Sequence, residues 1–209
     1  NNFEYDVANT NNFSLGITSP TQFDAGSHSF TQNTINADAS RAYASVFKGL
    51  NLAFGTEFRY ENYQILAGET ASYINGGAQS FPGFSYLNVV NKSRTSFGFY
   101  ADAELNFTDK FLVDAAVRFE NFSDFGNTTN GKLSARYKIT DKFFVRGSAS
   151  TGFRAPSLQQ QYFNNIATDV VDGKLLNSGI FRNDSDVAKQ LGIPELKEET
   201  STNYSFGFV

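Results

Sequence analysis

The sequence has no cysteine, no methionine and no tryptophan, and only one histidine and four prolines among its 209 residues. Without cysteine there is no disulfide framework, no thiolate nucleophile and no cysteine-based zinc site. A single histidine, His28, leaves no paired nucleophile and base and no set of converging imidazole ligands. Flanked by Ser27 and Ser29, it reads as a solvated loop residue. Charge is also sparse: 18% of residues against the ~25% of a typical soluble domain. A net charge of −4 offers no basic footprint for nucleic acid. No apolar run is long enough for a membrane helix, which says nothing against a barrel, since half of each barrel strand is polar. With no methionine the chain lacks its own initiator, and no signal peptide is legible. The expectation is an internal or processed piece of a longer protein.

What is present is aromatic weight, 23 Phe and 10 Tyr, and a strict alternation. In Ser93–Phe107 the odd positions Phe97, Phe99, Ala101, Ala103, Leu105 and Phe107 alternate with Arg94, Tyr100, Asp102 and Glu104. Phe111, Val113, Ala115, Val117 and Phe119 alternate with Asp114, Arg118 and Glu120. Two further runs, Lys132–Ile139 and Phe143–Ala149, keep the same parity. Period two is the signature of a strand with one apolar and one polar face. The tripeptide Thr-Asp-Lys closes two of the hairpins, at 108–110 and at 140–142, and a three-residue turn preserves parity. Ser123–Asn130, rich in Gly, Asn and Thr, reads as a longer polar connection.

Earlier in the chain, Asn2–Asn9 reads as a short strand and Thr10–His28 as a loop turning at Ser19-Pro20 and Gly26. Ser29–Tyr43 and Leu50–Ile65 read as strands, and Ala67–Lys92 as a long loop. Arg41 falls on the apolar side of its strand, which calls for snorkelling at a membrane edge or for a bulge. Gly152–Lys197 is the longest connection, with short helices expected at Ser157–Phe163 and Asp186–Leu191. Thr202–Phe208 is a final strand. The sum is an all-β, antiparallel up-and-down meander of about eight strands, with short turns at one end and long loops at the other, as in a transmembrane β-barrel. A soluble β-sandwich alternates in the same way and stays open on pattern alone.

Four motifs in order carry a resemblance. Phe54-Gly55-Thr56-Glu57-Phe58-Arg59-Tyr60-Glu61 looks like an early barrel strand. Arg118-Phe119-Glu120-Asn121-Phe122-Ser123-Asp124-Phe125-Gly126 looks like a strand end, Thr151-Gly152-Phe153-Arg154-Ala155-Pro156-Ser157 like the barrel signature, and Leu196-Lys197-Glu198-Glu199-Thr200-Ser201 like the opening of the next strand. Together they resemble the TonB-dependent outer-membrane transporters. The resemblance implies that residues 1–209 are part of a barrel of about 22 strands with a plugged lumen, in the outer membrane of a Gram-negative cell. The plug and its TonB-contacting segment would lie outside this chain.

It further implies active import of a scarce nutrient, whether siderophore, cobalamin, glycan or peptide. Outer-membrane lipid and the TonB complex would be partners, and no cofactor or metal is expected. A lipoprotein lid is left open as a partner class, with no residue here pointing to it. Arg118, Arg136 and Arg146, with Asp114 and Glu120, are expected on the lumen wall as plug contacts or as solvated lining. Arg154, beside Pro156, is expected to make a structural strand-end contact, with anionic ligand as the alternative. Tyr73, Phe84, Phe125 and Tyr162 are loop aromatics placed for ligand stacking or for packing among themselves. Asp169, Asp172, Asp184 and Asp186 are too scattered for a calcium loop. Two other classes remain: a passive porin or structural barrel, and a soluble β-sandwich adhesin or glycan-binding module. An enzyme is the least supported class, because no nucleophile–base pair or separate carboxylate pair is present.

Overall fold

The structure, a computed structural model, describes residues 1–172 and 174–209, and the side chains of residues 167–171, 175 and 177 lie outside the description. Eight strands form one sheet: β1 (Asn2–Ala8), β2 (Gln22–Tyr43), β3 (Leu50–Leu66), β4 (Val90–Asn106), β5 (Phe111–Phe122), β6 (Gly126–Thr140), β7 (Phe143–Arg154) and β10 (Glu199–Phe208). Their order is β1-β2-β3-β4-β5-β6-β7-β10, so each strand pairs with its neighbour in the chain and β10 takes the next place after an excursion. That excursion holds α2 (Leu158–Tyr162), a separate hairpin of β8 (Asn165–Val171) and β9 (Lys174–Ile180), and α3 (Asp186–Gln190). A one-turn helix, α1 (Thr70–Tyr73), lies between β3 and β4.

The chain divides into two compact units. The first holds residues Asn1–Gln32, Glu61–Ser93 and Pro156–Leu196, which include the long loops. Its core is Tyr63, Ile65, Phe84, Val90 and Leu158, with Tyr5, Phe30, Phe81, Tyr162 and Phe163 packed against it. Two buried asparagines join separate loops: Asn88 Nδ2 donates to Asn164 Oδ1 at 3.2 Å, and Asn164 Nδ2 donates to the Asn88 carbonyl at 3.2 Å. Asn12, 1% exposed, donates to the carbonyls of Ala71 and Ile74, both at 2.9 Å.

The second unit, Asn33–Tyr60, Arg94–Ala155 and Lys197–Val209, is sheet with tight turns. Register preserves parity across it: Ala103 faces Ala115, Ala115 faces Leu133, Leu133 faces Ala149 and Ala149 faces Tyr204. The repeated Thr-Asp-Lys has a local cause. Thr108 Oγ1 accepts from the amides of Lys110 and Phe111 at 3.2 and 3.0 Å, and Thr140 Oγ1 accepts from Lys142 at 3.3 Å. At the turn end of the apolar face runs a row of rings. Phe47 and Phe107 are 5.2 Å apart, Phe107 and Phe111 5.9 Å, Phe111 and Tyr137 6.3 Å, and Phe143 and Phe208 6.1 Å.

Gly55 on β3 shows how closely the polar face packs. Tyr100 of β4 lies over it, and the Tyr100 hydroxyl donates to Asp38 Oδ1 of β2 at 2.9 Å. A Cβ on Gly55 would meet Tyr100 Cε1 at 2.6 Å and the Ala37 carbonyl oxygen at 3.0 Å. Glycine is required there by approach, not by its dihedrals.

Three expectations need correction. Thr10–His28 is not all loop, because β2 begins at Gln22. Phe23 and Ala25 are buried, and Gly26 (φ +90°) is no turn but a close approach, where a Cβ would strike the backbone of Leu66 and Gly68. His28 is accordingly no solvated loop residue: it pairs with Phe3 in the β1–β2 ladder. Ser123–Asn130 is not a long connection either. The β5–β6 ladder runs up to Phe122 opposite Gly126, leaving a three-residue turn. Polar Asn127–Asn130 extends the strand because asparagine and threonine side chains are accommodated on both faces, with Asn121 Nδ2 donating to Asn127 Oδ1. The β8–β9 hairpin was not expected at all. The short helices at α2 and α3 were, and each starts on a serine cap, Ser157 and Ser185.

Candidate functional site

The polar face of the second unit is a charged wall. Arg118 on β5 lies 3.0 Å from Glu120 and 3.4 Å from Glu57, and Glu57 is also 2.6 Å from Arg59. Asp114 is 2.8 Å from Lys132 Nζ and accepts from Ser134 Oγ at 3.0 Å. On β6 and β7 the pattern changes. Arg136 and Arg146 stand directly opposite each other in the ladder, a like-charge pairing that costs stability unless an anion offsets it. Among the described residues neither meets a carboxylate. The Arg136 guanidinium lies 5.8 Å from the ring centre of Phe144. Together Arg136, Phe144, Arg146 and Val209 line a concavity of about 270 Å³.

The strand-end motif Arg118–Gly126 now has a physical reading. Its Phe122 lies beneath the guanidinium of Arg94 at 5.5 Å, and Phe125 stacks on Phe122 at 4.5 Å. Asp124 accepts from Arg94 Nη1 at 3.4 Å. Ser123 and Thr95 share two bonds, the Ser123 amide donating to the Thr95 carbonyl and the Thr95 amide donating to Ser123 Oγ, both at 3.0 Å. Gly126 takes φ +97°, which ends the turn. The motif therefore builds a clamp around Arg94, which is 5% exposed. Sequence reading did not single out Arg94, although its partners stood within the quoted motif.

The other expected residues separate. Arg154 reaches Glu199 only at 4.0 Å, with both side chains well exposed, the geometry of a weak strand-end pair. Phe84 is a core residue of the first unit. Tyr162 packs against the same core with Lys92 Nζ 5.1 Å from its ring centre. Tyr73, half-buried, closes α1. Phe125 belongs to the Arg94 clamp. A second aromatic assembly was missed: the Tyr5 hydroxyl lies 3.1 Å from His28 Nδ1, with Phe3 5.0 Å and Tyr63 6.4 Å from the imidazole centre. The β-strand placement of Gln22–His28, unread in the sequence, is what creates it.

Among the described residues no group of three or more His, Asp or Glu side chains is placed to hold a metal ion. Asp184 is instead paired with Arg182 at 2.7 Å and Lys92 at 3.6 Å, Asp172 lies at the β8–β9 turn and Asp186 opens α3. The Asp169 side chain lies outside the described residues.

A family described as TonB dependent receptor-like, β-barrel matches residues 1–209, the whole chain. The chain belongs to that family. It is 25% identical over 159 residues to the ferrienterobactin receptor of Escherichia coli K12, covering 75% of this chain and 20% of that protein. It is 32% identical over 53 residues to the vitamin B12 transporter BtuB of Vibrio cholerae, covering 25% of this chain and 9% of that one. The chain thus spans about a fifth, or less, of the curated relatives it matches. Among solved structures it resembles the siderophore receptor PirA of Pseudomonas aeruginosa with TM-score 0.62 and 15% identity, over 88% of this chain and 30% of PirA. A mutant of the ferric enterobactin receptor PfeA from the same organism gives TM-score 0.61 and 16% identity, over 87% of this chain and 24% of that one.

The open eight-stranded sheet is therefore part of an outer-membrane TonB-dependent barrel wall. Its apolar face, with Phe97, Phe99, Val117, Phe119 and Leu133 exposed, is the side that lipid covers in such barrels, and the charged face lines the lumen. The relatives are named as receptors and transporters.

Proposed function

We propose that the full protein is an active importer, taking up a nutrient scarce enough to need concentrating, with a ferric siderophore as the first candidate ligand and cobalamin as the second. The observation that carries this is the match of the whole chain to the TonB-dependent family, together with relatives whose names specify those ligands. Energy transmitted through TonB drives the transport. This chain contributes wall and outer loops, not the energy-coupling segment.

Within the wall the roles divide by pairing. Arg118 has Glu57 and Glu120 and acts as internal bracing. Arg136 and Arg146 face each other without a carboxylate among the described residues, and they receive carboxylates of the plug. Each charge-assisted contact there is worth more than an exposed pair because the lumen is filled. Phe84, Tyr162 and Tyr73 hold loop structure and do not stack on ligand.

The test is uptake by a receptor-deficient Gram-negative strain expressing the full-length protein. Labelled ferric siderophore and labelled cyanocobalamin are supplied separately, with and without a protonophore. Saturable uptake of one of them, abolished by the protonophore, is expected. Uptake that persists without a proton gradient would instead indicate a passive pore.

A further inference from the structure

Asparagine followed by glycine occurs twice in the sequence, at Asn75-Gly76 and at Asn130-Gly131. This dipeptide is chemically labile, because a residue without Cβ lets its own amide nitrogen reach the preceding carboxamide. The two copies have opposite surroundings. Asn75-Gly76 lies in the short turn Ile74–Gly76 that follows α1, and both residues are exposed. Asn75 takes φ +51° and Gly76 φ +97°. A Cβ placed on Gly76 would find no atom within 4 Å, and the Asn75 carboxamide has no hydrogen-bond partner among the described residues. The turn is open only in its middle. The Ile74 carbonyl accepts from buried Asn12 at 2.9 Å and from the Gly77 amide at 3.0 Å. Gly77 is wedged in place, since a Cβ there would meet Pro82 Cβ and the Ser72 carbonyl oxygen, both at 2.6 Å.

Asn130-Gly131 is held on every side. It sits inside β6, with Asn130 opposite Arg118 and Gly131 opposite Val117 in the β5–β6 ladder. The Gly131 amide donates to Thr151 Oγ1 at 3.0 Å, and Asn130 Nδ2 donates to Thr128 Oγ1 at 3.3 Å. Before the Gly131 nitrogen can attack, the ladder must open, and the rate falls by the fraction of time it is open. One chain therefore carries the same dipeptide in a reactive and in a protected setting.

We propose that Asn75 is a site of spontaneous deamidation, through a succinimide formed with Gly76, and that Asn130 is protected from it. The Gly76 amide nitrogen gives its proton to solvent base and bonds to Asn75 Cγ, and the carboxamide nitrogen leaves as ammonia. Water then opens the ring at either carbonyl, leaving aspartate or isoaspartate. One water is consumed, one ammonia is released, and nothing is oxidised or reduced. Both products add a negative charge at the surface of the loop unit. Isoaspartate also adds a methylene to the backbone between the Ile74 and Gly77 anchors, which strains the bond from Asn12 to the Ile74 carbonyl. None of this chemistry depends on what the full protein transports.

The test ages the folded full-length protein in warm, mildly alkaline buffer and digests it at acid pH, where the ring does not form. Peptides are followed by mass spectrometry, with isoaspartate read by enzymatic methylation. The Asn75 peptide is expected to convert to a mixture containing isoaspartate, with release of ammonia. Asn130 should convert at least about tenfold more slowly, because ladder opening must come first. In denaturant the ladder is gone, and Asn130 should convert as fast as Asn75. Asn75→Gln should remove the signal at position 75 and leave the Asn130 rate unchanged. An Asn75 peptide that keeps its amide overturns the proposal, as does equal conversion of the two sites in the folded protein. Aspartate without isoaspartate would mean direct hydrolysis and overturn the succinimide route. Rates that stay unequal in denaturant would put the cause in the flanking sequence and overturn the structural assignment.

Discussion

In the unit of tight turns, neighbours in space are neighbours in the chain, and stability comes from ladder register and from side chains opposite one another, as with Ala103, Ala115, Leu133 and Ala149. In the unit of long loops, Tyr63, Phe84 and Leu158 come from three distant segments and form a closed core. The first arrangement buries few side chains and packs closely only at points such as Gly55 beneath Tyr100. The second behaves like the interior of a small globular domain, with full burial and paired amides. One polypeptide thus carries a two-faced sheet and a separately packed long-loop core.

Substitutions that strike one unit and spare the other break this comparison most sharply. Phe84→Ala empties the loop core and should weaken that unit by ~3–5 kcal/mol. Hydrogen exchange should then speed up at Ile65 and Val90 while β5–β6 amides keep their protection; equal loss in both would deny that the units are separate. Gly55→Val forces a branched side chain against Tyr100 and the Ala37 carbonyl, costing ~1–3 kcal/mol through overpacking. Its urea midpoint in the full-length barrel should drop, and adding Tyr100→Ala should recover part of the loss. Asn164→Ala leaves the buried Asn88 amide without its partner and should cost ~1–3 kcal/mol, read as faster exchange confined to the loop unit.

A smaller effect sharpens the comparison inside the sheet unit. Arg146→Ser relieves the like-charge pairing with Arg136, so a barrel refolded without its plug should be neutral to slightly stabilised, by ~0.2–1 kcal/mol. The intact protein should lose plug retention instead, measured by protease access to the lumen. The smallest effect is at the Asp141 turn, where Lys138 holds the carboxyl below the usual aspartate range through a hydrogen bond and its charge. A depressed folded-state pKa means the contribution is complete above the ordinary aspartate pKa and disappears as pH falls through the lowered one. Because the group is fully exposed, Asp141→Asn should barely move the acid midpoint, and an NMR titration of the carboxyl checks the direction.

The sheet unit was largely legible in the sequence because period two leaves a direct trace. Charges from Arg94 to Arg146 on even positions place one face before any coordinates are known, and Thr108 and Thr140 mark turns by a local bond. The errors came where that trace is faint. Gln22–His28 and Asn127–Asn130 are polar enough to resemble loop, yet extend strands beyond the apolar band. The loop core was not legible, since nothing local to Phe84 or Tyr162 announces a partner 70 or more residues away in the chain. Even-numbered parity groups Arg136 and Arg146 with the other charges, but their direct opposition depends on the β6–β7 register, which a bulge near Lys138 adjusts.

The most direct measurement is a spin-label accessibility scan along β5 in the full-length protein reconstituted in bilayers. Labels at Val113, Ala115, Val117 and Phe119 should be relaxed by oxygen, which partitions into lipid. Labels at Asp114, Ala116, Arg118 and Glu120 should be shielded from it. A clean two-residue period establishes β5 as a two-faced membrane wall; equal access of an aqueous nickel reagent to both sets would contradict it.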